Sequence, residues 1–245
     1  MCSNTSEHRR HTKGIIRVQQ TQTEKSYHSL RQMLTAGAFN PGDQLVNRQL
    51  ASQIGVSLGP LREAINRLAS EGLVNTVPGA GSFVRKLSRR DLEELYILRE
   101  AVESCAAAEA VDHISPVQLD QLEAICDEWF QLAHALIDRP AALSQMERWL
   151  DYEKRYHEIL LDASRNQLLA KVVRDHRAIS QVFNIQRQSP ELLTSQVAED
   201  TVKSHRALVD ALRRRDPAAA RELMSQQIRI GRKTVLEYFD SESVE

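Results

Sequence analysis

The chain has 245 residues, 42% hydrophobic and 27% charged, with a formal net charge of −1, an ordinary globular composition long enough for one or two domains. No apolar run approaches the roughly 20 residues that span a bilayer, and the polar start MCSNTSEHRRHTKG lacks the apolar segment of a secretory leader, so the expected location is cytoplasmic, with no membrane partner. Cys2, Cys105 and Cys126 form an odd set without metal-ligand spacing and read as reduced thiols.

The near-neutral total conceals a division. Residues 1–90 hold 13 Lys and Arg against 5 Asp and Glu, whereas the remainder holds 19 against 28. A front at +8 and a rear at −9 fit a polyanion-binding module joined to a second unit.

In chain order, residues 1–18 are polar and basic without periodicity and read as a flexible arm, with Arg9 and Arg10 as its cations. From Glu24, the apolar positions Tyr27, Leu30, Met33 and Leu34 fall at helical spacing and Gly37 follows as a stop. FNPGDQL is a Pro-Gly turn. Asn47 then reads as the cap of a short helix carrying Leu50, Ala51 and Ile54 and ended by Gly55. Ser57 reads as the next cap, with Pro60 in the first turn, where its missing N–H costs little.

That third helix puts Leu61, Ala64, Ile65 and Leu68 on one face and leaves Arg62, Asn66 and Gly59 facing outward. Two short helices joined by a tight turn suit the placement of one helix in a major groove. LVNTVPGAGSFVRK, residues 73–86, alternates on both sides of Pro-Gly-Ala-Gly and reads as a β-hairpin with a nearly bare tip. Helix-turn-helix plus hairpin is a winged helix, and the cations Arg85, Lys86, Arg89 and Arg90 after it suit phosphates.

The series FNPGDQL, LASQIGVS, PLREAINRLASEGLV and PGAGSFV resembles the winged helix-turn-helix of the GntR-type bacterial transcription regulators over residues 22–86. The resemblance implies double-stranded operator DNA as partner, with Arg48, Ser57 and Arg62 at base or phosphate contacts and Gly79 at a wing-tip contact. Leu58 and Gly59 depart from it, since the family usually has arginine and threonine there. An arginine in the groove makes a bidentate guanine contact worth about 1–3 kcal/mol of discrimination, whereas leucine reaches at most a thymine methyl. The expected result is a retained docking geometry with an altered or relaxed base preference.

Behind the wing, Ser88 and Asp91 resemble a capping box opening a long helix through Leu92, Leu95, Leu98, Ala101, Val102 and Cys105. Ser115-Pro116 starts a second helix through about Ile137, broken near Pro140. A third carries Trp149, Tyr156, Leu160 and Leu161. Asn166 begins a fourth, residues near 193–213 form a fifth, and Asp216-Pro217 opens a sixth. Nothing there reads as a strand, so the rear is a six-helix bundle with room for a cavity. Within it, Glu153 and His157 share one face at i,i+4, a spacing that also suits a plain ion pair.

The stretches LYILREAVE, YHEILLDASRN and SHRALVDALRRRDPAAARELM resemble the FCD ligand-binding domain of the FadR subfamily, VanR-like branch, over roughly residues 91–237. Many such domains hold a divalent metal through Asp-x-x-x-His and two later histidines, and the metal helps hold a carboxylate effector. The resemblance puts Glu153, His157, His205 and Gln227 at those positions. Glutamate can still ligate a cation, Gln227 is a far weaker ligand for Zn or Ni, and Asp151 lies too far round the helix to substitute. Arg99 is a candidate clamp for the effector carboxylate, or else an intrahelical partner of Glu103.

The expectation is a mainly α protein: an arm at 1–18, a winged helix-turn-helix at 19–87 and an all-α six-helix effector and dimerisation domain at 88–240. It would act as a homodimeric DNA-binding transcription regulator modulated by a small organic acid. The alternatives are a constitutive dimeric DNA-binding protein with a non-sensing rear, or a helical metalloenzyme. The enzyme has one Glu/His pair at the wrong offset for a dinuclear bundle site and no nucleophile elbow or phosphate loop.

Overall fold

Thr21 opens the first helix: its Oγ1 accepts the amide N–H of Glu24 at 3.1 Å, answering one donor that the helix start leaves without a partner. The computed structural model describes residues 21–136, 141–183, 190 and 193–242. The arm expected at 1–18, with Arg9 and Arg10, and the break expected at Pro140 lie outside the described residues.

Three helices and a hairpin make the head: α1 (Gln22–Thr35), α2 (Asn47–Ile54), α3 (Leu58–Ser70), β1 (Val74–Val77) and β2 (Gly81–Val84). Tyr27, Leu30 and Leu34 of α1 and Leu61, Ala64, Ile65 and Leu68 of α3 recur every three or four residues and bury one shared core with Leu45, Leu50, Leu73 and Val84. The turn between α2 and α3 depends on Gly55, held at φ 73°, a left-handed conformation that a side chain would strain. The strands pair antiparallel with Val74 opposite Val84 and Val77 opposite Gly81. The segment before α2 joins the wing edge, where Leu45 N–H donates to the Ser82 carbonyl at 2.8 Å. One expected cap is corrected: Val46, not Asn47, is the N-cap of α2, and it gives no side-chain cap bond. Asn47 is the first helical residue, and its buried Oδ1 finds no partner.

Among the described residues six helices make the rear: α4 (Arg89–His113), α5 (Pro116–His134), α6 (Leu143–Ala163), α7 (Gln167–Phe183), α8 (Ser195–Arg213) and α9 (Pro217–Glu242). Their starts follow the chemistry of the chain. Ser88 with Asp91 and Ser115 with Gln118 form reciprocal capping boxes. Asn166 Oδ1, Thr194 Oγ1 and Asp216 Oδ1 accept the third amide of α7, α8 and α9 in turn. α5 ends at His134 rather than near Ile137.

α9 lies along α4, α8 along α5, and α6 crosses both α4 and α5. Trp129, Leu122 and Ile125 of α5, Tyr156 and Leu160 of α6 and Leu208 and Leu212 of α8 fill the centre. Head and bundle touch where α1 meets α7, with Arg31 Nη2 3.9 Å from Asp175 Oδ1. No described helix is long and apolar enough to cross a membrane. Cys105 and Cys126 are free thiols, and burial raises the Cys126 thiol to about 12.

Candidate functional site

Two surfaces hold the residues singled out in the sequence. On the head, Arg48 of α2, Ser57 before α3 and Gly59 and Arg62 of α3 are all exposed. Neither Arg48 nor Arg62 has a hydrogen-bond or ion-pair partner among the described residues. Ser57 occupies the N-cap position of α3, yet its side chain makes no capping bond, leaving the hydroxyl open. A Cβ added at Gly59 would meet nothing within 4 Å. The fold itself therefore does not require glycine there. Gly79 sits at the exposed wing tip with φ 77° and equally open surroundings. Leu58 is half-buried and packs against the head core, so only part of it reaches the surface of Arg62.

The cations behind the wing are engaged differently from the sequence expectation. Arg85 binds Asp91 at 2.6 Å, Arg90 binds Glu94 at 2.8 Å, and Arg89 binds both Glu93 and Asp240. Lys86 alone of the four has no such pair among the described residues. Exposed pairs of this kind are worth about 0–1 kcal/mol, so they shield these arginines without locking them.

The second surface is a cavity of about 340 Å³ inside the bundle, walled by α4, α6, α7, α8 and α9. Arg99, Glu153, His157, His205 and Gln227 all line it. The residues implied by resemblance thus converge from four helices. A wider cleft of about 770 Å³ lies between α1 and the α6–α7 corner, without these groups.

Glu153, His157 and His205 each place a ligand atom within 4.8 Å of the others. Glu153 Oε2 lies 3.2 Å from His157 Nε2, and its Oε1 lies 3.7 Å from His205 Nε2. Each ring is fixed from behind. His157 Nδ1 sits 3.1 Å from Glu103 Oε2, and His205 Nδ1 sits 2.8 Å from the Thr201 carbonyl. Both contacts need an N–H on Nδ1; in His205 this leaves the Nε2 lone pair facing the cavity, while Nε2 of His157 faces Glu153. Trp129 and Tyr156 pack edge-on against the His205 ring, 4.5 and 4.6 Å between centroids, and Tyr156 Oη donates to the His205 carbonyl.

The charge states suit a cation. Burial pushes His205 down to about 4, against the pull of Glu153, so it is neutral near pH 7. Burial opposes ionisation of Glu153 as well, but the hydrogen bond from His157 and the nearby His205 hold it at about 2. His205 Nε2 is buried with no hydrogen-bond partner. A His157 lone pair and a carboxylate oxygen at 3.2 Å repel, so the contact needs a proton or a metal ion between them. Gln227 donates Nε2–H to the Ser204 carbonyl at 3.0 Å and leaves Oε1 buried without a partner. Two oriented imidazoles and a carboxylate fit a divalent cation, and the free amide oxygen of Gln227 belongs to a side chain lining the same cavity. Asp151 is exposed beside Arg155, outside this set.

Behind His157, Glu103 makes contacts that sequence spacing did not reveal. Glu103 is 3% exposed and receives Arg99 Nε at 2.9 Å and Arg177 Nη2 at 2.5 Å. Burial works against its charge, but Arg177, Arg99 and His157 hold it well below the usual carboxylate range. Arg99 thus makes the intrahelical pair with Glu103 and also lines the cavity. Arg177, 74 residues from Glu103 in sequence, carried no local signal at all.

Residues 22–84 match the family model of bacterial regulatory proteins of the gntR family, and residues 94–229 match the FCD domain. The HTH-type transcriptional regulator McbR of Escherichia coli K12 is 25% identical over 82% of this chain and 88% of its own length. The HTH-type transcriptional repressor RspR of the same organism is 25% identical over 84% and 85%. Among solved structures, E. coli McbR/YncC superposes with a TM-score of 0.67 at 23% identity, covering 86% of this chain and 96% of that one. These are regulators rather than enzymes, which removes the metalloenzyme alternative. The chain belongs to the GntR family of bacterial transcriptional regulators, in the group with a C-terminal FCD domain.

Proposed function

We propose that this regulator binds a palindromic operator as a homodimer and that a small organic acid in the bundle cavity changes that binding. Arg62 of α3 reads base edges, Arg48 and the Ser57 hydroxyl hold phosphates, and Gly59 lets the helix start approach the duplex closely. Gly79 brings the wing backbone to a phosphate or a second groove. Two recognition helices about 34–36 Å apart would meet successive major grooves. The observation that carries this half is the presence of two exposed arginines, unpaired among the described residues, on adjoining helices of the family's DNA-binding head.

Glu153, His157, His205 and Gln227 would hold a divalent metal, with Zn or Ni favoured by the two imidazoles. When bound, the metal supplies a positive centre for an acid group. Arg99, which lines the same cavity, meets the acid. The acid's differential affinity for the two placements of the heads sets how far the operator equilibrium moves.

Purified protein should select specific genomic fragments, and some organic acid should change their affinity. Selection of fragments whose affinity responds to no acid or divalent ion would support a constitutive DNA-binding protein. Failure to select any fragment would remove the operator reading itself.

A further inference from the structure

Arg99 of α4 and Arg177 of α7 stand side by side in the cavity wall, each only 14% exposed. Each guanidinium carries five N–H donors. Glu103 takes one bond from each and also faces His157, which exhausts most of its lone pairs. Arg177 Nε stays buried with no partner. Arg99 lies over the Tyr96 ring, its Cζ 4.8 Å from the centroid, and lines the same cavity. A buried donor left unpaired is costly, so this end of the cavity calls for an acceptor from outside the chain.

The charges point the same way. Arg99, Lys154 and Arg177 balance Glu103, Glu153 and Asp200 among the groups in or behind the wall. A divalent ion at Glu153, His157 and His205 would add two positive charges to a buried site. Uncompensated buried charge is strongly unfavourable. A monoacid would cancel half of it.

We propose that the cavity selects a ligand with two acid groups, one at the Glu153–His157–His205 cluster and one at the Arg99–Arg177 pair, with Arg177 as the specificity-determining residue. The proposal rests on reading the cavity as an acid-binding site. The two ends lie on either side of one imidazole, since His157 turns Nδ1 to Glu103 and Nε2 to Glu153. Acid groups joined by a short carbon chain fit that separation, and Leu92, Trp149 and Val235 line the cavity with apolar surface for the methylenes. An acid at the arginine end would share the pair with Glu103, and a planar fork is suited to two carboxylates at once.

The test uses the full chain, with and without one equivalent of zinc, titrated calorimetrically. Malonate, succinate and glutarate are compared with propanoate, butanoate and pentanoate. At least one diacid should bind the zinc form about tenfold or more tightly than the monoacid of equal length, as one added charge-assisted contact requires. Arg177→Gln should erase that ratio while zinc affinity and monoacid binding persist. Arg177→Lys, which keeps the charge without the fork, serves if the glutamine variant does not fold, and should lower the ratio. Equal binding of diacids and monoacids by the unmodified protein would overturn the proposal and leave the acid-binding reading intact. A preference that survives both substitutions would overturn the role of Arg177. Absence of binding by all six acids would overturn the acid-binding reading as well.

Discussion

Glu103 Oε2 lies 3.1 Å from His157 Nδ1 and only 2.5 Å from Arg177 Nη2, so one buried carboxylate fixes both the ring of a metal-type ligand and an arginine of the cavity wall. Such a carboxylate–histidine pair sets the tautomer and makes the ring a better donor. Glu103→Gln should lower zinc affinity about 10–100-fold by isothermal titration, in line with other outer-shell losses. It should also destabilise the fold by about 3–5 kcal/mol in urea unfolding, because two arginines lose their counter-charge. Unchanged zinc affinity would show that Glu103 serves the fold alone.

Gln227→His should raise zinc affinity at least about tenfold, since imidazole replaces a neutral amide oxygen among nitrogen-preferring ligands. Competition with a chromophoric chelator measures this. Equal affinity in both proteins would mean that residue 227 does not reach the ion.

The metal-free protein should lose stability in acid in two steps. His205 is held at about 4 in the fold, against roughly 6.5 in the unfolded chain. Between those values the unfolded chain takes up a proton that the native state refuses. Stability therefore falls as the pH drops from about 6.5 to 4, by up to about 1.4 kcal/mol per unit. Glu153, at about 2 in the fold, extends the loss below its unfolded value of roughly 4.5. Urea unfolding with a chelator present, from pH 7.5 to about 2, checks this. His205→Gln should flatten the upper step, and an unaltered slope would contradict the buried neutral histidine.

Much of the fold was legible because local chemistry declared it. Ser88, Ser115, Asn166 and Asp216 open their helices as their side chains suggest, and Gly55 turns the chain between α2 and α3. The placing of Glu153 and His157 on one face also followed from spacing. What escaped was tertiary. Glu103 and Arg177 come together only because α7 packs on α4, and Trp129 reaches His205 only across α5 and α8. The basic run after the wing has local partners instead. Arg89 and Arg90 stand four residues before Glu93 and Glu94 on α4, a pairing visible in the sequence. Asn47 failed as a cap because Val46 already takes the extended conformation that precedes α2.

Leu58→Arg places a long cation at the first residue of α3, beside exposed Gly59. It should shift fragment selection toward guanine-containing sites, with discrimination of about 1–3 kcal/mol per contact. The half-buried leucine packs on the head core, so thermal unfolding should be followed alongside. An unaltered site preference in a folded variant would mean that position 58 never faces the bases.

Fluorescence anisotropy of a selected operator fragment, with unmodified protein and with Arg62→Ala between 50 and 200 mM salt, tests the central claim most directly. Exposed Arg62 should account for about 1–3 kcal/mol of specific binding, a loss of roughly 10–100-fold in affinity on substitution, and the unmodified protein should weaken steeply with salt. Equal affinity for both proteins, or binding indifferent to salt, would contradict it.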